Sequence, residues 1–413
     1  MKKIFTLSVF ILLTINTFAQ LTPEITSWKI NSSGATGYNN LPSNVQQVQY
    51  SASNVYVSAT CIPGYDIGPW AGNPNIPANQ NFIFKITRSP QQNTGTLINT
   101  PLGHIGVWSN GVSIYNAKDA MSYNSMGIWN QNAITVEGPS FDDCLGHPAP
   151  NGEYHHHLNP TCLYSDSDST AHAPIIGFAF DGFPIYGAFG FANADGTGGV
   201  HRMKSSYRLR SITDRTTLPD GTVLTSGQYG PAINAAKPLG YYLEDFEFIT
   251  GLGDLDVHNG RFSVTPDYPS GIYCYFATLD ASLVAAFPYT LGLTYYGLVQ
   301  AGNTGPGSGH NTPAETVTTY NPTSGIVEIN SEVKTMIFPN PVQDKAMINI
   351  SFSGSEKILA GIYDCLGQKL FSLTDLSSEN FFEVDFRNFP AGVYFLRTES
   401  EGNYSMNKIV VLR

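Results

Sequence analysis

The chain has 413 residues, of which 42% are hydrophobic and only 13% charged, with a formal net charge of −11 and a pI of about 5.2. This length is typical of two or three domains, and the apolar fraction is sufficient to fill their cores. The acidic balance argues against nucleic acid or an anionic membrane as a partner. With 40 glycines, 26 prolines and 12% aromatic residues, the composition predicts a mostly β, turn-rich protein with short strands.

The N-terminus has the pattern of a secretory signal peptide. Two lysines precede an apolar run from Ile4 to Leu13, and small residues stand at Thr17 and Ala19. The run is too short to span a membrane, and the small residues predict cleavage after Ala19. We therefore expect a signal peptide over residues 1–19 and a mature chain without a transmembrane segment. Export also permits disulfides.

Changes in composition divide the rest of the chain into three parts. Short segments of β-branched and aromatic residues, such as Val55–Ala59 and Phe82–Ile86, predict strands separated by turns. A stretch rich in Gly, Pro, Thr and Asn then predicts a flexible linker over residues 302–330. We expect a large turn-rich β domain over residues 20–301 and a small C-terminal β-sandwich over residues 331–413.

Ligand-capable side chains are concentrated in residues 142–164, which hold four of the nine histidines and two of the five cysteines. A strand over Gly152–Leu158 would place His155 and His157 on one face and His156 on the other. Two imidazoles on one face can chelate a metal ion. Three consecutive histidines near a fourth favour a metal site over isolated core histidines.

Three further residues are candidates to complete the ligand set: His147, His258 and Asp181. Asp181 stands in an otherwise apolar run, so it is either a turn-forming residue or part of the metal site. Neutral imidazole suits copper or zinc, and the affinity order favours copper. An open coordination position would let metal-bound water act as a nucleophile, with Glu153 or Asp142 as the base, whereas four protein ligands would make the site structural.

The cysteines of this segment predict a covalent link. Cys144 and Cys162 bracket the predicted strand with seventeen residues between them. In an exported chain we expect a disulfide between them, and the alternative is that both thiolates bind the metal. A companion expectation pairs Cys61 with Cys274.

Residues 254–276 repeat the central segment in degenerate form. Each copy has an acidic polar run, a proline, and Gly-x-Tyr leading into a strand. The second copy contains His258 but has no chelating pair. Alignment of Gly152 with Gly271 makes the following residues equivalent: His155 with Cys274, and His157 with Phe276.

Three ordered motifs resemble the signature of the YHYH family, in which a Cys/Gly/His run precedes Gly-Glu-Tyr-His-Tyr-His. In this chain they are Cys144–His147 with Gly152–His157, Asn110–Asn116, and Asp181–Gly187. His156 replaces the second tyrosine of the family, while the two same-face histidines are kept. The resemblance implies a family defined by its motifs and not by an established reaction.

The C-terminal motifs resemble the sorting domain of the type IX secretion system of Bacteroidota. They include Phe338–Pro341, Gly361–Asp364, Gly367–Leu370 and Pro390–Arg397. The resemblance implies that the type IX machinery is a partner and that the protein is secreted or held at the outer-membrane surface. The sorting domain would then be removed or kept as an anchor.

Two classes of function remain open at this point, and whether the protein is an enzyme is open as well. The first is a secreted metal-binding protein, acting as a metal-dependent hydrolase or oxidase. The second is a non-catalytic surface module that binds a glycan or a protein through aromatic residues such as Trp70, Trp108 and Trp129, with structural histidines. The metal content of the purified protein separates the two.

Overall fold

The computed structural model describes residues 21–305, 307–322, 333–352, 358–364, 368–376, 379–400 and 403–413. The expected signal peptide lies outside the described residues. The chain is mostly β, as predicted, and it divides into two units, one ending at Asn321 and the other beginning at Pro322. Among the described residues, no helix is both long enough and apolar enough to cross a membrane.

The described part of the first unit consists of short strands, two single-turn α-helices and several short 3-10 helices, because Gly, Pro and Asn interrupt the chain every few residues. The α-helices are α1 (Pro23–Thr26) and α2 (Ala133–Val136). The strands are β1 (Val45–Tyr50), β2 (Asn54–Ala59), β3 (Phe82–Thr87), β4 (Ile98–Asn99), β5 (His104–Trp108), β6 (Ser113–Tyr115), β7 (Lys118–Ser122), β8 (Asn130–Asn132), β9 (His147–Pro148), β10 (Tyr154–His156), β11 (Ile175–Ala179), β12 (Pro184–Tyr186), β13 (Phe189–Phe191), β14 (Val200–Arg202), β15 (Tyr207–Leu209), β16 (Phe246–Phe248), β17 (Gly260–Ser263), β18 (Ile272–Phe276), β19 (Thr294–Tyr295) and β20 (Thr318–Tyr320).

The second unit has longer strands arranged in two antiparallel sheets, with orders β21-β22-β25 and β24-β23-β26-β27. Side chains from both sheets, including Ile348, Ile362 and Leu396, are buried in one common core. This is the β-sandwich that the sequence predicts. The strands are β21 (Val333–Phe338), β22 (Lys345–Phe352), β23 (Ile358–Tyr363), β24 (Lys369–Leu376), β25 (Glu379–Asp385), β26 (Gly392–Ser400) and β27 (Asn403–Val411).

The predicted flexible linker needs a correction, because its first part packs on the first unit. Asn303 is fully buried, and its Oδ1 accepts the Lys85 N–H at 2.9 Å. The strand β20 extends the sheet β20-β1-β2-β3, and Glu315 accepts a hydrogen bond from Tyr56 at 3.0 Å. Backbone pairing thus holds the chain as far as Tyr320, which a Gly- and Pro-rich composition alone does not reveal. The rest of the expected linker lies outside the described residues.

The centre of the first unit is a mixed eight-stranded sheet with the order β17-β18-β12-β11-β5-β6-β10-β9. One face is covered by a core that includes Val107, Phe178 and Phe276, and the other by a core that includes Trp108 and Tyr275. Both faces are therefore buried over most of the sheet, which explains the nearly continuous apolar runs in its central strands.

The sheet is internally duplicated about a pseudo-twofold axis between β5 and β11. Val107 pairs with Phe178 at the axis, and β5 and β11 run antiparallel on either side of it. Each half continues with a hairpin partner, then a parallel strand, then an antiparallel edge strand. The hairpins turn at Asn110-Gly111 and Asp181-Gly182, where both glycines have positive φ.

Equivalent side chains confirm the repeat that the sequence predicts. The Tyr154 hydroxyl donates to Asp142 at 2.9 Å, and the Tyr273 hydroxyl donates to Asp256 at 2.9 Å. Each carboxylate also accepts two backbone N–H groups from the tight loop that follows it. The two halves thus place these residues in equivalent positions: His147 and Arg261, His155 and Cys274, His156 and Tyr275, and His157 and Phe276.

Candidate metal centre

Strand pairing brings three histidines to one face of the eight-stranded sheet, at the edge formed by β9 and β10. His147 on β9 lies directly opposite His155 on β10, so the two side chains point the same way. His157 follows β10 two residues after His155 and therefore returns to the same face. The predicted same-face pair and its predicted neighbour His147 are thus brought together. All three side chains are buried.

The three imidazoles converge through their Nε2 atoms. The Nε2 atoms of His147 and His155 are 3.1 Å apart, and those of His155 and His157 are 3.2 Å apart. In a four-coordinate site with metal–ligand bonds of about 2.0–2.1 Å, neighbouring donor atoms lie roughly 3 Å apart. The spacing therefore fits nitrogen ligands that share one ion.

The other ring nitrogens are committed to oxygen acceptors, which fixes the tautomers. Nδ1 of His155 lies 3.1 Å from the Glu153 carbonyl oxygen, and Nδ1 of His157 lies 2.6 Å from a backbone carbonyl. The Ser140 hydroxyl donates to another carbonyl, so at 2.7 Å it accepts from Nδ1 of His147, while the Asn73 amide nitrogen lies farther from the same atom, at 3.4 Å. When Nδ1 carries the proton of a neutral imidazole, Nε2 presents a lone pair.

Glu137 supplies a fourth donor to the same point. Its Oε2 lies 2.9 Å from Nε2 of His147 and 3.4 Å from Nε2 of His157. It follows helix α2, which Gly138 and Pro139 prevent from continuing, so the carboxylate projects from a tight turn. We call these four side chains the donor cluster; their donor atoms all lie within 4.8 Å of one another.

Charges around the donor cluster favour neutral imidazole and ionised carboxylate. Burial lowers the pKa of His155 well below its ordinary value, and the adjacent His157 and His147 lower it further. Burial also acts to raise the pKa of Glu137, but the adjacent imidazoles of His147 and His157 outweigh this effect and hold the pKa well below its usual range. These are the protonation states that metal binding requires.

A second layer of contacts fixes the ring of His155. The Tyr115 ring stacks on it with centroids 3.8 Å apart and planes 20° apart. The Tyr115 hydroxyl bonds to Glu153, whose carboxylate is also 2.9 Å from Nδ1 of His104. Outer contacts of this kind orient metal-binding histidines.

Two residues predicted as ligands lie elsewhere, which corrects the predicted set. Asp181 accepts hydrogen bonds from Tyr275, from the Gly297 N–H and from the Phe183 N–H at its own hairpin turn. Burial raises its pKa to about 6. His258 bonds to Thr294. Both residues belong to the second half of the duplicated sheet. Of the two alternatives for Asp181, the structure supports the turn-forming residue.

The two predicted bases also lie outside the donor cluster. Glu153 is paired with His104, and Asp142 accepts from Tyr154, from the Trp70 indole N–H and from backbone N–H groups. Both carboxylates are occupied by partners that hold the loops in place. The acidic group at the centre is Glu137, which the sequence analysis missed. The one available signal was its position as the only acidic residue between Asp119 and Asp142.

The cysteines behave partly as predicted. Cys144 and Cys162 form a disulfide, with Cα atoms 5.2 Å apart, so they are not thiolate ligands. The companion pairing is wrong, because Cys61 and Cys274 are both free and buried. Cys61 donates to the Tyr154 carbonyl oxygen, and Cys274 takes the place in the second half that His155 has in the first.

The tryptophans do not form the predicted binding platform. Trp108 and Trp129 are 0% and 1% exposed, so neither ring can stack on a surface ligand. Trp70 is half-buried and lies edge-on to Tyr38, with its indole N–H bonded to Asp142. The aromatic residues named in the second function class therefore stabilise cores and loops.

Comparison with known families places these features in context. Residues 83–287 match the family described as YHYH protein, and residues 336–412 match the secretion system C-terminal sorting domain. The chain contains a YHYH domain and a C-terminal sorting domain. The YHYH domain includes the whole donor cluster, and the sorting domain marks the chain as a type IX secretion cargo that is secreted or displayed at the cell surface.

Other comparisons add little to this assignment. A comparison with curated proteins finds no match. One solved structure concerns PorZ, an essential bacterial surface component of the type IX secretion system of Porphyromonas gingivalis. It is 11% identical with a TM-score of 0.16, over 90% of this chain and 59% of that chain. The chain thus spans little more than half of that protein, and a likeness of this size supports no inference about fold or function.

Proposed function

We propose that the YHYH domain is the metal-binding module of a secreted or cell-surface protein, exported by the type IX system of a Bacteroidota bacterium. The ion is a divalent transition metal, zinc or copper, held by His147, His155, His157 and Glu137. The organism class rests on the sorting-domain resemblance, and the ion type rests on the imidazole-rich donor set.

One observation carries the proposal: the donor atoms of His147, His155, His157 and Glu137 converge within 4.8 Å of one another. Nδ1 of each histidine is committed to an oxygen acceptor, so the Nε2 lone pairs meet at 3.1 and 3.2 Å. The Glu137 carboxylate approaches within 2.9 Å. Such an arrangement is repulsive unless a cation lies at its centre.

The alternative is a buried ion pair, in which protonated His147 or His157 faces Glu137. A positive charge on either ring would lie against the buried His155. Burial disfavours charge at this position, and it lowers the pKa of His155. A metal ion neutralises the carboxylate and satisfies all three imidazoles at once. The donor cluster also borders a cavity, so an ion that expands from four to five ligands can take water or another external ligand from that side.

Elemental analysis of the purified full-length chain tests the proposal. After incubation with zinc or copper and removal of free ions, wild type should retain one ion per chain. His155→Ala and Glu137→Gln should each reduce retention, and His155→Ala should abolish it. The matched control is His258→Ala, which should retain the metal. A wild type without metal would support the buried ion pair, and equal loss in the His258 variant would point to binding elsewhere.

A further inference from the structure

The cavity beside the donor cluster has the dimensions of a small-molecule site. Its volume is about 560 Å³, and His147, His155, His157 and Glu137 lie in its wall. Pockets that bind small organic molecules have volumes of about 300–1,000 Å³. The chemistry of the rest of the wall therefore indicates what kind of molecule can fill it.

The neutral polar side chains in the wall are already paired within the protein. Asn73 and Asn75 both donate to the Pro148 carbonyl oxygen, at 3.0 and 3.2 Å. The Ser140 hydroxyl donates to a carbonyl and accepts from an imidazole, and the Tyr115 hydroxyl bonds to a buried carboxylate. A ligand would gain little by bonding to these groups, because each would first have to lose its present partner.

The remaining surface of the wall is mostly hydrocarbon, apart from two charged residues. Lys118 adds a positive charge, and Asp119 is engaged with Glu137 and with the Met121 N–H. The attraction for an anionic group therefore comes from the metal position and from Lys118. The apolar part of the wall comprises Ala71, Pro74, Leu102, Val136, Pro139 and Pro150.

The charge of the centre selects the group that reaches the ion. A divalent ion bound by three neutral imidazoles and one carboxylate keeps a net charge of +1, which attracts an anionic donor. Phosphate is recognised by several N–H donors together, whereas Lys118 is the one lysine or arginine among the wall residues. A carboxylate needs only the ion.

Resting on the proposed metal centre, we propose that the cavity binds a small organic acid. Its carboxylate contacts the ion as a fifth ligand, and its apolar body lies against the proline and aliphatic wall. The affinity then comes from two separable sources, the ion and the hydrocarbon surface. Each buried methylene should strengthen binding by about fourfold.

Calorimetric titration of the zinc-loaded full-length chain tests the inference. Acetate, butyrate and hexanoate form the series, with hexanol as the neutral analogue and inorganic phosphate as the polyanion. We expect hexanoate to bind at least tenfold more tightly than acetate, hexanol and phosphate to bind more weakly than hexanoate, and metal-free protein to bind none of them.

A matched pair of variants locates the binding surface. Leu102 in the wall and Leu252 outside it are both 47% exposed, so both tolerate a polar side chain. Leu102→Asn should weaken hexanoate several-fold and leave acetate unchanged, whereas Leu252→Asn should change neither. A zinc-loaded chain that binds acetate and hexanoate equally, or prefers phosphate or hexanol, overturns this inference alone. A chain that retains no metal defeats the proposed function as well.

Discussion

Replacing His156 with phenylalanine should stabilise the protein, and increasingly so in acid. The ring of His156 is fully buried on the face of the sheet opposite the donor cluster, edge-on to Trp108 and Tyr154. Neither of its nitrogens has a hydrogen-bond partner, and the Cys144 backbone lies near the ring without hydrogen-bond geometry. Phenylalanine keeps a planar ring and removes two buried unpaired polar atoms, which cost about 1–3 kcal/mol each.

The dependence on pH follows from the protonation of the same ring. Burial lowers the pKa of His156 to about 3 in the folded state, whereas an unfolded histidine titrates near 6.5. Between these values the unfolded chain binds a proton that the folded chain does not, so stability falls as the pH drops. At about 1.4 kcal/mol per pH unit, wild type loses about 2 kcal/mol to this ring at pH 5.

Urea denaturation of metal-free wild type and His156→Phe from pH 8 to pH 5 measures both effects. The difference in unfolding free energy should be constant above pH 7 and should grow by about 2 kcal/mol in favour of the variant at pH 5. Because other titrating groups are common to both proteins, they cancel in the difference. His310→Phe is the control for replacing a histidine ring, because that ring is exposed. A difference that does not change with pH would refute the reasoning.

Three other predictions concern stability and metal retention. Asp245→Ala should lower the unfolding free energy measured by urea denaturation by about 3–5 kcal/mol, because it leaves the buried Arg215 without its carboxylate partner. A loss below about 1 kcal/mol would mean that solvent reaches the guanidinium. Reducing the Cys144–Cys162 disulfide should cost about 3 kcal/mol, because it releases a short loop, and comparison of thermal unfolding with and without reductant measures the change. Metal retention should decline as the pH falls below about 6, because protons compete with the metal for imidazole. Elemental analysis after gel filtration at several pH values measures the retention, and a constant value would contradict this prediction.

The sequence predicts the histidine part of the centre because that part depends on local rules. Alternation along a strand places His155 and His157 together, and the short distance along the chain to His147 allows a hairpin-like pairing. Glu137 could not be predicted in this way. It enters from the turn after α2, and its approach depends on how that turn packs against the sheet edge.

The duplication explains why two other candidates were assigned to the wrong place. Sequence patterns show which residues can bind a metal and that two segments are alike. They do not show that the like segments form opposite halves of one sheet. Asp181 and His258 are therefore plausible ligands in a linear sequence, but each lies within the second half. The linker was misassigned for a similar reason, because backbone pairing of β20 has no strong compositional signal.

The duplication also separates the metal centre from the stability of the fold. In the second half, Cys274 and Phe276 occupy the positions of His155 and His157, and both are fully buried beside the same kind of parallel strand. The sheet architecture therefore does not require imidazole at these two positions.

The double variant His155→Cys, His157→Phe should accordingly fold while losing its metal. It copies the residues of the second half into the first. Because the sites differ in their neighbours, we expect a loss of about 1–3 kcal/mol in unfolding free energy, typical of core substitutions, with wild-type circular dichroism. Metal retention should fall to background, because only His147 and Glu137 remain. A variant that does not fold would mean that the donor cluster is a structural element of the YHYH domain, and one that folds and retains its metal would place the ion elsewhere.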